Sequence, residues 1–390
     1  PVSGVTVTFA VLTGGGSITG ATAVTNSGGV ATVGSWTLGT IVGSNTISAT
    51  SGTLSGSPVS FGISSTPGPA TQISLSGGST SGQVGQPLAV APSVTARDAF
   101  NNPVPGVSVN FTVASGNGSA TGLTQTTNSQ GVATVGSWTL GPLVGANTLT
   151  ASSGTLGGSP LTIAATGVTA AATQMALNGG STTGTAGALV GSPPSVVVRD
   201  ANGNPVAGVP VTFTVGTGGG SISGVNAVSN ANGVATLGSW TLGSTAGANT
   251  VIASSAGLAN SPLTVTATGT AGAATQLSLN GGSTAGSVNT AVAVPPSVVV
   301  RDANNNPVAG ITVTFAVASG GGAINGATAV TNANGVATLG SWTLGASAGI
   351  NTLTASSGGL TNSPLTISAS SVVTGGTQMA LNGGSSTGTA

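Results

Sequence analysis

Three aspartates, Asp98, Asp200 and Asp302, are the only carboxylic side chains in the chain, and each directly follows an arginine, Arg97, Arg199 or Arg301. Carboxylates can serve as general acid or base, as partners in glycoside hydrolysis, or as hard ligands for calcium. Successive aspartates stand 102 residues apart, so no repeated unit holds the second carboxylate that paired hydrolytic chemistry needs. For calcium, Asp200, Asn202 and Asn204 form the D-x-N-x-N opening of a cation loop, which makes Asp98, Asp200 and Asp302 weak candidates. The glycine expected at the sixth position and the acid at the twelfth are replaced by Pro205 and Val211. The competing reading is a tight turn over Asp200, Asn202, Gly203, Asn204 and Pro205, with Asp200 bonding backbone N–H groups and Asn and Gly tolerating positive φ. Arg199 and Asp200, as neighbours on a strand, are expected to point to opposite faces.

Other reactive groups are missing altogether. The sequence has no His, Cys, Lys, Glu or Tyr, which removes imidazole and thiolate chemistry, Schiff bases and soft metal ligands. No cofactor is expected, and the chain is read as a non-enzyme. Charged residues are 2% of 390 and net charge is zero, so no basic surface can neutralise phosphate or anionic lipid. Nucleic-acid binding and membrane insertion by this segment are not expected. Thr217-Gly218-Gly219-Gly220 lacks the lysine of a phosphate loop and reads as a loose hairpin. Asn110-Phe111-Thr112 and Asn117-Gly118-Ser119 match the N-glycosylation pattern in one copy only.

The elements that carry these residues repeat. Trp36, Trp138, Trp240 and Trp342 follow the same 102-residue step, as do Phe9, Phe111, Phe213 and Phe315. That step, held without insertion, suits tandem immunoglobulin-type sandwiches rather than a solenoid. Gly/Ser/Thr/Ala-rich stretches set the expected domains at 67–168, 169–270 and 271–372. They leave a partial domain at 1–66 that lacks its first two strands, and the first strand of a further domain within 373–390. The ragged ends are read as a window on a longer array; alternatively, a trailing strand Thr377–Leu381 adds to the leading fragment of another copy.

Within 169–270, period-two alternation predicts seven strands. Met175 and Leu177 should point inward on the first, Val196 and Val198 on the second, and Val211, Phe213 and Val215 on the third. A weaker strand spans Ser221–Ser229, and Ala235 and Leu237 mark the fifth. Trp240 and Leu242 then resume on the opposite parity, which predicts a β-bulge near Gly238-Ser239 that returns the tryptophan to the core. Val251 and Ala253 mark the sixth strand, and Leu263, Val265 and Ala267 the last, with Pro262 at its start. The four tryptophans and the four periodic phenylalanines are the expected core. Phe61 alternates with Val59 and Ile63 and reads as core, whereas Phe100 sits in a turn and is the better contact residue.

At this point the residues resemble a family. Asp200 to Phe213, Asn230 to Leu237 and Ala246 to Val251 look like the words of the bacterial immunoglobulin-like group 1 domain of the invasin and intimin adhesins, and they recur in the other copies. The resemblance implies sandwiches stacked as an extracellular stalk at a bacterial surface. The chain departs from that pattern in having no lectin-like tip, no outer-membrane barrel and almost no charge. Short joins such as Gly269–Ala274 predict a stiff rod of about 40 Å per unit, from strands of about eight residues at roughly 3.3 Å each. The neutral Thr/Ser/Asn/Gly coat lacks the charges that keep sheets apart, which predicts lateral self-association or a homopolymeric filament. The alternative is an adhesin module whose loops contact glycan or another neutral surface.

Overall fold

The computed structural model describes residues 1–52 and 54–375, so the strand expected at Thr377–Leu381 lies outside the described residues. All regular structure among the described residues is β-strand. Contacts divide the chain into two compact units, Pro1–Ala171 with Asp200–Asn204, and Ala172–Arg199 with Pro205–Ala390.

In the second unit, residues 271–372 show the pattern of the repeat. Ala274–Gly281, Ser297–Asp302 and Val336–Thr338 form a three-stranded antiparallel sheet. Facing it is a five-stranded sheet, in the order Ala285–Ser287, Leu365–Val372, Gly349–Ser356, Thr312–Ser319, Thr328–Val330. A two-stranded ribbon, Ala323–Asn325 with Ser341–Thr343, completes an immunoglobulin-like sandwich. The β-branched alternation of Thr312–Ser319 explains its placement: Val313 and Phe315 are buried while Thr312 and Thr314 face solvent. Residues 169–270, apart from Asp200–Asn204, repeat these sheets in the same unit, and 67–168 repeats them in the first unit.

The repeat therefore holds ten strand segments rather than the seven expected. One addition is the short strand Ala285–Ser287; the other two come from strands that split as they change sheets. Ser221–Ser229 is really Ser221–Ser223, paired with Ser239–Thr241, and Asn226–Val228, paired with Pro210–Thr212. The parity change before Trp240 has the same origin. Val234–Thr236 belongs to the three-stranded sheet and Ser239–Thr241 to the ribbon, so the chain crosses between layers at Gly238 and no bulge is needed.

Leu177 and Val215 also differ from expectation, at 54% and 37% exposed. In the next repeat the equivalent Leu279 and Val317 sit beside register shifts, where strict alternation ends. Met175, Val196, Val198, Val211 and Phe213 are buried.

Trp138, Trp240 and Trp342 are fully buried, with Phe111, Phe213 and Phe315 beside them among the largest enclosed side chains. Around Trp342 pack Leu277, Val298 and Val300 from one sheet and Val313, Phe315, Leu353 and Ile367 from the other. No indole Nε1 of the four tryptophans finds an acceptor.

The described residues of 1–66 have the ribbon and a four-stranded sheet, Thr22–Val24, Thr6–Thr13, Gly43–Thr50, Val59–Ser65, and among them there is no three-stranded sheet opposite. Phe9 is buried, but Trp36 is only half-buried. Phe61, expected in the core, is 48% exposed, whereas Ile163, Val265 and Ile367 at its position in later repeats are buried. The alternation was read correctly and the covering layer is missing.

The glycine runs are close-packed at their ends and open at their centre: in Thr217–Gly220 a Cβ on Gly218 or Gly220 would overlap neighbouring backbone, whereas one on Gly219 would meet nothing. A Cβ on Gly345 would overlap the carbonyl oxygen of Gly320, itself at φ +84°. Gly345→Ala is expected to cost roughly 1–3 kcal/mol, since backbone must move to admit the methyl group; calorimetry showing an unchanged transition would refute this close approach.

Candidate functional site

Each aspartate lies at the end of a six-residue strand, Ser93–Asp98, Ser195–Asp200 or Ser297–Asp302, and is nearly or fully buried. In the second unit, Asp302 Oδ1 accepts the backbone N–H groups of Asn304 (2.9 Å) and Asn306 (2.8 Å). Its Oδ2 accepts the N–H of Gly272 in the inter-repeat linker (2.8 Å) and Nδ2 of Asn306 (3.0 Å). Burial alone would push this carboxyl up, but the donors from Asn306, Gly272 and Asn304 outweigh it and hold the pKa below the usual carboxylate value. Arg301 steadies the same turn, its Nη1 donating to the carbonyl of Asn305 (2.8 Å).

The turn also reaches backwards along the chain. Asn306 Nδ2 donates to the Ser244 carbonyl (2.9 Å), and Asn306 Oδ1 accepts the Ala246 N–H (2.7 Å). Asn304 Nδ2 adds a bond to the Ala186 carbonyl (3.2 Å). The receiving loop is itself pinned by buried Asn249, which accepts the Gly243 N–H (2.8 Å) and donates to the Gly247 carbonyl (3.1 Å). One buried amide thus shapes the loop and a second grips it.

The first unit contains two such clasps. Asp98 accepts N–H groups from Phe100, Asn102 and Gly68, and Asn102 bridges to the Thr40 carbonyl (2.7 Å) and the Val42 N–H (3.1 Å). The Asn102 side chain, followed by burial acting in the opposite sense and by the backbone donors, leaves the Asp98 pKa lowered. Asp200 accepts Asn202, Asn204 and Ala170, while Asn204 bonds to the Pro142 carbonyl (2.8 Å) and the Val144 N–H (3.2 Å). Burial raises the Asp200 pKa, and its donors more than reverse that.

The turn reading of Asp200, Asn202, Gly203, Asn204 and Pro205 thus captures the local geometry but misses its longer reach. The same geometry disfavours calcium at Asp98, Asp200 and Asp302, because their oxygens already face N–H donors that would confront a cation. Among the described residues no cluster of three or more His, Cys, Asp or Glu occurs. The sequence reading passed over the buried Asn45, Asn147, Asn249 and Asn351. Their 102-residue spacing was the available signal.

Phe100 is 64% exposed. It borders a concavity of about 440 Å³ with Thr40, Ser65 and Asp98, and a larger one of about 620 Å³ lies along Gly14–Gly16 and Thr37–Ser44. In the next joint, Gly85 N–H bonds to the Leu140 and Gly141 carbonyls, and Gly85 also lies beside Asn202. The two concavities lie at the positions that Gly85 and its neighbours occupy in that joint.

No protein-family model and no curated protein matches the chain. Among solved structures it is similar to FdeC, an Escherichia coli adhesin, at 20% identity over 79% of this chain and 99% of that one, with a TM-score of 0.48. It is also similar to invasin, a bacterial integrin-binding protein, at 16% identity over 96% and 73% of the two chains, TM-score 0.42. InvD of Yersinia pseudotuberculosis gives 17% identity over 76% and 96%, TM-score 0.41.

Proposed function

We propose that the chain is a segment of a bacterial surface stalk: non-enzymatic sandwiches at 67–168, 169–270 and 271–372, with 1–66 and 373–390 as parts of two more. The observation that carries this reading is the clasp. The chain's only charged residues sit in or beside its turns, and its three carboxylates are spent on joining repeats rather than facing a substrate. The invasin-type motif words support the same role, and an extracellular location follows from it. Integrin binding, which belongs to invasin, is not carried over.

The finer part of the proposal is lateral self-association through neutral faces. It is supported by Leu75, Leu177 and Leu279, which stand half-exposed at the same place in three repeats. Contact through the outer edge of Ala274–Gly281 is disfavoured, because that edge is covered where Leu277 N–H bonds to the Thr361 carbonyl and Thr361 N–H to the Thr275 carbonyl.

Small-angle scattering on chains of one, two and three repeats tests the stalk. The maximum dimension should grow by a constant step per repeat, and a compact particle would overturn the reading. Sedimentation tests association: with only 3 Arg and 3 Asp to screen, any assembly should persist from about 0.05 to 1 M salt. Dissolution by salt alone would remove the lateral contact while leaving the stalk intact.

A further inference from the structure

In each of the three repeats from 67 to 372, the second strand segment and the last lie side by side and run in the same direction. In 271–372, Ala285, Gly286 and Ser287 pair in parallel with Ser370, Ser371 and Val372. The pairing extends at both ends, by Ser370 N–H to the Thr284 carbonyl (2.8 Å) and Val288 N–H to the Val372 carbonyl (3.1 Å). The same arrangement joins Thr183–Thr185 to Thr268–Thr270 and Ser81–Gln83 to Thr166–Val168.

We infer that this parallel pairing is a mechanical clamp that resists tension along the chain. Tension draws Thr284 back towards the repeat's start and Val372 forward towards its end, along one shared direction. The bonds between the two segments are then sheared together and must fail together. In a hairpin pulled open at its ends they would instead fail singly, each at low load. Upstream, Ala274–Gly281 lies antiparallel along Ser297–Asp302 and is likewise drawn lengthwise.

Packing covers one side of the clamp, at its central glycine. A Cβ on Gly286 would stand 3.0 Å from Leu344 Cδ1, and on Gly184 3.0 Å from Leu242 Cδ1, so glycine lets the segment lie directly on core leucine. Just past it, Val84 and Ala186 are buried.

The inference stands on the geometry of a single repeat and does not require the stalk reading. A chain that proved not to be a stalk would still show it, and a stalk could exist without it.

Single-molecule pulling of the full chain provides the test. Pulled end to end, each repeat of 102 residues should release about 340–370 Å of contour, less its folded length. The direction of force is the decisive comparison. Ala348→Cys with Val372→Cys, in a protein that has no other cysteine, gives handles at the open end of the Gly349–Ser356/Leu365–Val372 hairpin. Pulling there should rupture the repeat at no more than about half the end-to-end force, because unfolding under load follows the barrier along the loaded direction rather than equilibrium stability. Equal forces in the two directions would overturn the clamp. Val288→Pro, which deletes one clamp donor, should lower the end-to-end force more than Thr328→Pro on the far edge of the same sheet, with both compared at their measured equilibrium stabilities. A fall that merely tracks equilibrium stability would also overturn it.

Discussion

Trp342→Ala is expected to cost about 3–5 kcal/mol, the range for emptying a fully buried large aromatic site. Domains of this size are stable by only about 5–15 kcal/mol, so the variant repeat should be largely unfolded at temperatures where its neighbours remain folded. Trp342 is 0% exposed and lies between valines and leucines of both sheets, so no neighbour is free to fill the cavity without breaking the sandwich. The indole adds a further comparison. Its Nε1 has no acceptor, and an unmet buried donor costs roughly 1–3 kcal/mol. Both substitutions remove that cost, but Trp342→Phe also keeps most of the apolar area, so it should lose less than half of what alanine loses. Equilibrium denaturation of the two variants checks this. Equal losses would mean that the phenyl ring recovers none of the packing that the indole supplies.

Asp302→Ala should have the second largest effect. It strips the acceptor from Gly272, Asn304 and Asn306 at once. The expected loss is about 2–4 kcal/mol, since some of the freed donors can reach water at the joint. Asn306→Ala should leave the repeat itself more stable than Asp302→Ala does, yet loosen its hold on Ser244 and Ala246. Scattering would show this as a broader distribution of dimensions in a chain that still folds.

The same carboxylates govern pH dependence. The chain's only carboxylic side chains are its three aspartates. All three aspartates have pKa values lowered from 3.8. A depressed carboxylate contributes its stability fully above the unfolded-state pKa and loses it as pH falls through the folded-state value. Stability should therefore be level from about pH 5 to pH 10 and decline only below about pH 4. Asp302→Asn should shrink the acid step and leave the plateau level. A midpoint that moves between pH 5 and 8 would contradict the assignment.

Much of the repeat could be read directly from residue types. Phe213 flanked by Thr212 and Thr214 declares a half-buried strand in any setting, because alternation is a property of the extended backbone. The absence of His, Cys, Lys, Glu and Tyr was equally plain. Where expectation failed, the missing information was non-local. Alternation gave Phe61 its correct face but could not show that no second sheet covers it. The phase change before Trp240 was visible, but alternation cannot distinguish a bulge from a crossing between layers, and the chain crosses.

Sequence by itself determined that this chain is β-structured, repeats every 102 residues and carries a periodic tryptophan and phenylalanine on the apolar faces of its strands, because composition and periodicity act on each segment independently. Only the tertiary structure decided what the aspartates do. Asn306 looks like any turn-forming asparagine, and its bonds to Ser244 and Ala246 cross 60 or more positions. A contact of that length depends on where two folded surfaces come to rest.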